Sequence, residues 1–197
     1  METKLRIINE LEKDQKGIHL RELSRLVKSG LPNIKRFMEI LEKEGVIKKE
    51  KDANLVKFRL KEGYKTVSYL KQLHTERFLT LPSRARQAIT DFINAVEIKP
   101  LLVLIFGSYA KCNYNKESDI DILLVFQRVE NESLIENNAK RISMRTNVKL
   151  SPIYVDYKSF ENNFLNKEHD FSKEIRGNVI IIWGVELYYS LLWRFLK

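Results

Sequence analysis

The apolar positions of this chain follow two different rules. In the first sixty residues they recur at helical spacing; beyond residue 100 they run unbroken for the length of a strand. Leu5, Ile8 and Leu11 mark a first helix that breaks at Lys16-Gly17, and a second, over 19–28, is expected to bury Leu20, Leu23, Leu26 and Val27. After the turn Ser29-Gly30, a third helix opens at Leu31-Pro32-Asn33. Its Ile34, Phe37, Met38 and Leu41 fall at i, i+3, i+4 and i+7, and Gly45 ends it. Val46-Ile47 and then Val56, Phe58 and Leu60 predict two strands around a polar turn at 51–54.

Residues 63–81 predict a linker helix with a stripe of Tyr64, Val67, Leu70 and Leu73, and 83–96 a helix burying Ala85, Ala88, Ile89, Phe92, Ile93 and Val96. Two apolar runs follow, 101–106 (LLVLIF) and 122–126 (ILLVF), both of strand length and bounded by turn or polar residues. Further along, helices are expected over 132–144, 157–165, 171–176 and 187–195, with strands over 147–155 and 178–183. The β-α-β-α order predicts a small mixed sheet with helices mainly on one face, and the fold class is α/β (α+β). The expected domains are 1–62, a linker at 63–81, and 82–197.

The polar residues between the two long runs carry the chemistry. Gly107-Ser108 breaks the first run, and Asp119-Ile120-Asp121 leads into the second. On an extended chain, Asp119 and Asp121 point to one side and Ile120 to the other. Two neighbouring carboxylates repel, which a divalent cation relieves, and an all-oxygen set suits Mg²⁺ completed by phosphates and water. A glycine corner lets a polyanion approach the main chain, and Ser108 adds a hydroxyl.

The residues GSYAK at 107–111 and SDIDILLV at 118–125 resemble the GS-x-A-[RK]-G and SDIDLLV elements of the minimal nucleotidyltransferase domains of the DNA polymerase beta-like superfamily. The resemblance implies transfer of a nucleoside monophosphate from a nucleoside triphosphate, ATP by family frequency. Gly107, Ser108 and Lys111 would bind nucleotide, and Asp119 and Asp121 would be the catalytic, Mg²⁺-binding pair. Two departures stand out. Cys112 replaces the usual glycine, and Ser151 falls where a third carboxylate is expected from a later strand. Asp156 could replace that carboxylate only with a different strand register.

Charge adds a second theme. The net charge of +9 is uneven: residues 1–78 hold 19 Lys and Arg against 12 Asp and Glu, and residues 79–197 hold 16 against 14. The basic excess at the front favours a polyanionic partner. Three helices followed by a hairpin, with ELSRLV and ILEKEGVIKKE, resemble the winged helix-turn-helix domains of prokaryotic and archaeal transcription regulators. That resemblance implies double-stranded DNA as partner. The third helix would present Asn33, Lys35, Arg36 and Glu39, and the wing Lys48, Lys49, Lys51 and Lys57.

The remaining features narrow the classes. One cysteine forbids an internal disulfide, and His19, His74 and His169 lack metal-ligand spacing. Neither Cys112 nor Ser108 has a local His partner for nucleophilic catalysis. No secretory signal and no apolar span of membrane length occur, so the expected location is cytoplasmic, without a membrane partner. Winged-helix regulators suggest a homodimer, and some members of the nucleotidyltransferase superfamily act on a protein acceptor in toxin–antitoxin pairs. The alternative function is a transcription regulator whose second domain only senses nucleotide or mediates dimerisation.

Overall fold

A computed structural model describes residues 2–52 and 55–197 of the chain. These fall into two compact units, Met1–Leu73 and His74–Lys197.

The first unit orders its elements as α1 (Thr3–Lys13), β1 (Ile18–His19), α2 (Leu20–Val27), α3 (Leu31–Lys43), β2 (Ile47–Asp52), β3 (Leu55–Leu60) and the start of α4 (Tyr64–Leu79). The apolar stripes meet in one core built from Leu5, Ile8, Leu11, Leu23, Val27, Ile34, Met38 and Leu41. Pro32 sits in the first turn of α3. At the other end Gly45 takes φ +76°, and the amide of Val46 returns to the Leu41 carbonyl at 2.9 Å. This is the expected winged-helix plan, with four local differences.

His19 is the residue that leads into α2 and lies outside its helical turns; it pairs with Lys57 in a three-stranded antiparallel sheet of order β1-β3-β2. Leu26 is 48% exposed, because Leu20, Leu23 and Val27 define the inward face of α2 and Leu26 falls on its flank. Lys51 lies in β2 opposite Val56 rather than in a turn. Of the predicted turn, Ala53 and Asn54 lie outside the described residues. Along the α4 stripe Val67, Leu70 and Leu73 are buried, whereas Tyr64 is exposed.

The second unit continues with α5 (Ser83–Ala95), β4 (Leu102–Phe106), α6 (Gly107–Ala110), β5 (Ile120–Phe126), α7 (Glu132–Thr146), β6 (Leu150–Asp156), α8 (Tyr157–Leu165), α9 (Asp170–Ile175), β7 (Ile180–Trp183) and α10 (Val185–Phe195). The mixed sheet has the order β6-β5-β4-β7. β4 runs antiparallel to β5 and β7, and β5 runs parallel to β6.

Helices cover both faces of this sheet, not mainly one. Val103, Ile105, Ile122, Leu124 and Phe126 join a core with Ala88, Ile89 and Phe92 of α5 and Ile135, Ala139 and Ile142 of α7. The alternate residues Leu102, Leu104, Leu123 and Val125 are equally buried on the opposite face, where α8 and α10 pack. Two covered faces explain why these strands are continuous apolar runs rather than alternating ones. His74 is buried in this unit. Its Nδ1 accepts from the Ile181 amide at 3.2 Å, so its Nε2 carries the proton and donates to the Tyr189 hydroxyl at 2.9 Å. Among the described residues no helix is long and apolar enough to cross a membrane.

Candidate functional site

The site forms where β4 ends and β5 begins. Because the two strands are antiparallel, Phe106 lies opposite Asp121, and the next residue, Gly107, turns the chain with φ +67°. A Cβ at Gly107 would overlap Asp121 Oδ2 and come within 3.2 Å of its Cγ. Glycine is therefore required twice, for the left-handed backbone and for the close approach of a carboxylate. The corner and the acid are one contact.

Gly107–Ala110 forms a single turn of helix, closed by the Lys111 amide donating to the Gly107 carbonyl at 3.1 Å. Cys112 follows at φ +56°. Its left-handed backbone explains why a glycine is usual there: the conformation disfavours side chains but does not forbid them. The loop to Asp119 is held by Tyr114, whose ring stacks on Tyr109 with centroids 4.3 Å apart. Asn115 Oδ1 accepts the Glu117 amide at 2.8 Å, and Ser118 Oγ accepts the Asn115 amide at 2.9 Å. Asp119 then sits just before β5, Ile120 opens the strand and goes into the core, and Asp121 follows on the other face.

The field at this corner is anionic. Burial pushes the Asp121 carboxyl above the usual carboxylate range, the charges of Asp119 and Glu174 push it further, and Lys111 pulls it back. Burial, Tyr114 and the Asp119 charge likewise raise the Tyr109 hydroxyl. Lys149 Nζ lies 2.7 Å from Asp119 Oδ2, and Lys111 Nζ lies 2.7 Å from Glu174 Oε1. Neither Lys149 nor Glu174 lies in a motif of the sequence. Lys149 is recognisable only once β6 is aligned beside β5, and Glu174 only once α9 is placed at the corner.

β6 runs parallel to β5 with Ser151 opposite Asp121. Ser151 therefore occupies the neighbouring-strand position expected of a third carboxylate. Asp156 cannot replace it: it pairs with Phe126 at the far end of the strand, about 16 Å along at the usual rise per residue. There its carboxylate caps α8 by accepting the Ser159 amide at 2.9 Å, which holds it below the usual range. Among the described residues no group of three or more His, Cys, Asp and Glu side chains is arranged to hold a metal. The Asp119/Asp121 donor set nevertheless fits Mg²⁺. It is all oxygen, carries excess negative charge, and leaves coordination positions to phosphate and water.

In the first unit, Lys35 and Arg36 are exposed on α3, as is Glu39. Asn33 is half-buried and held internally, donating to Ser29 Oγ at 2.9 Å and accepting from Arg36 at 3.2 Å. Arg36 also stacks over Phe37. On β2, Lys48 pairs with Glu50 at 2.7 Å and Lys49 with Glu42 at 2.5 Å, while Lys51 is exposed.

Comparison with known proteins adds the following. Residues 87–174 match the family described as polymerase beta, nucleotidyltransferase, and residues 2–48 match winged helix-turn-helix DNA-binding domains. A Methanocaldococcus jannaschii protein provisionally named protein adenylyltransferase MJ0141 is 30% identical over 77 residues, 37% of this chain and 76% of that protein. A second one from the same organism, MJ0604, named in the same provisional way, is 46% identical over 43 residues, 20% of this chain and 43% of its own length.

Proposed function

The chain belongs to the polymerase beta type of nucleotidyltransferases, and on that premise we propose that it moves an adenylyl group from ATP to a protein hydroxyl, using Mg²⁺ held by Asp119 and Asp121. ATP and a protein acceptor are suggested by the names of the two relatives. The observation that carries the reading is the contact of Asp121 with Gly107: the metal-binding acid and the phosphate corner adjoin within one van der Waals layer. When bound, the cation neutralises charge on the triphosphate and on the developing transition state.

The chain's own residues do the positioning. Gly107 lets the phosphates reach the main chain, Ser108 offers its hydroxyl and amide, and Lys111 and Lys149 supply ammonium groups on the two flanks. The acceptor oxygen attacks the α-phosphorus, the bond to the bridging β-phosphate oxygen breaks, pyrophosphate leaves, and the hydroxyl proton passes to water. The N-terminal unit binds double-stranded DNA through Lys35 and Arg36 of α3, with Lys51 and the partly neutralised Lys48 and Lys49 on the wing.

Ser151 beside Asp121 favours a second reading, a DNA-binding regulator whose second unit senses nucleotide without turnover. The two separate with ATP labelled at the α- or the γ-phosphate, Mg²⁺ and a cell extract as acceptor source. Transfer of α-label but not γ-label onto protein, lost in Asp119→Asn/Asp121→Asn, supports the enzyme. Retained nucleotide with no transfer and no pyrophosphate supports the sensor.

A further inference from the structure

A carboxylate is absent from β6 where it would flank Asp121, yet one lies on the same side of the sheet. Asp121 and its register partner Phe106 share the face opposite the α5 and α7 core. The Phe106 ring meets Phe171 of α9 edge-on, with centroids 5.3 Å apart. Glu174 lies three residues beyond Phe171, on the same side of that short helix. Its Oε1 accepts from Lys111 Nζ at 2.7 Å, and Lys111 is the residue that closes the turn begun at Gly107. Glu174 is thus held over the phosphate corner by a lysine of the corner itself.

The charges around the corner pair in a telling way. Asp119 is matched by Lys149, and Glu174 by Lys111, whereas Asp121 makes no ion pair among the described residues. Both lysines stand where a cation and a triphosphate would exchange with them. Lys111 and Glu174 have side chains 42% and 36% exposed, and an ion pair that wet holds its partners weakly. Arrival of a triphosphate draws the ammonium to phosphate and sets the carboxylate free towards the metal.

We propose that Glu174 supplies the third carboxylate of the metal site, from α9 rather than from the strand beside Asp121, and that Lys111 occupies it until a nucleoside triphosphate takes the lysine away. This assignment rests on the function proposed above. It accounts for a serine at position 151: the ligand has moved from a strand to a helix, and metal binding is coupled to nucleotide binding through one lysine.

The test is a titration of Mn²⁺, followed by electron paramagnetic resonance, into the full chain with and without the α,β-methylene analogue of ATP. With the analogue, Glu174→Gln weakens Mn²⁺ binding by at least about tenfold, the scale on which lost partners of a metal site are felt. Ser151→Asp in that background restores it. Without nucleotide, Lys111→Met strengthens Mn²⁺ binding, and the gain disappears when Glu174→Gln is present. Opposite effects from the two halves of one ion pair are not what a purely structural pair gives. Wild-type affinity in Glu174→Gln overturns the assignment, as does a Lys111→Met gain that persists without Glu174. Asp121→Asn separates the levels. If it abolishes binding while Glu174→Gln does not, only this inference fails; if it leaves Mn²⁺ binding intact, the proposed function fails with it.

Discussion

Gly107→Ala is the sharpest single perturbation of the corner. The backbone there has φ +67°, so an L side chain costs about 1–2 kcal/mol, offset by about 0.5–1 kcal/mol because alanine loses less freedom on folding. The added Cβ also overlaps Asp121 Oδ2 and approaches its Cγ to 3.2 Å, forcing the carboxylate off its rotamer at a further ~0.5–1.5 kcal/mol. The expected loss is therefore about 0.5–3 kcal/mol. Asp121→Ala removes the overlapping atoms and leaves a Cβ 3.6 Å away, an ordinary contact. In that background Gly107→Ala should cost only the backbone part, a coupling of about 0.5–1.5 kcal/mol. Both tryptophans, Trp183 and Trp193, lie in the second unit, so urea unfolding followed by their fluorescence reports this unit alone. Additive costs, within the usual ~0.3 kcal/mol, would refute the claim that corner and acid are one contact.

Other outcomes follow from the same site and its surroundings. Asp121 binds its proton more tightly folded than unfolded, so ionising it costs stability as pH rises through the carboxylate range. Asp121→Asn should raise the urea midpoint at pH 7, with the difference vanishing well below pH 3.8, while abolishing Mn²⁺ binding. Asp156→Ala removes the cap of α8 and should lower the melting temperature of the second unit without changing Mn²⁺ affinity; a large loss of metal binding would restore it as a candidate ligand. His74 is pushed down to about 3 by burial, so the unfolded state takes up a proton first as pH falls below 6.5. The second unit should therefore lose stability between those two values, as unfolding at stepped pH can measure. For DNA, replacing Lys35 and Arg36 with Ala should flatten the slope of log affinity against log salt by about two, at ~0.9 per phosphate contact. An unchanged slope removes α3 from the interface.

Much of this arrangement is legible in the residues because local and global demands agree. LVLIF and ILLVF are wholly apolar since both faces of their strands are covered, and Gly107 breaks the first because only glycine tolerates that φ beside a carboxylate. The helices of the first unit are legible from their stripes and from Gly45. What escapes depends on distant partners. β1 is two residues long and exists only because β3 pairs with it. The second helical layer of the sheet comes from α8 and α10, whose own patterns do not say which face they cover. Lys149 and Glu174 carry no local signal: one is a lysine before a strand, the other a glutamate on a six-residue helix. Topology alone brings them to Asp119 and Lys111.

A direct comparison of triphosphate affinity with and without divalent cation bears most heavily on the central claim, that acid pair and glycine corner form one compartment. Calorimetric titration of the α,β-methylene analogue of ATP at zero and saturating Mn²⁺ should show strongly tightened binding with metal, reciprocal to tighter metal binding with nucleotide. Asp119→Asn/Asp121→Asn should erase that coupling while leaving the weaker, metal-free binding in place. Equal nucleotide affinity with and without metal in the unaltered chain would contradict the account.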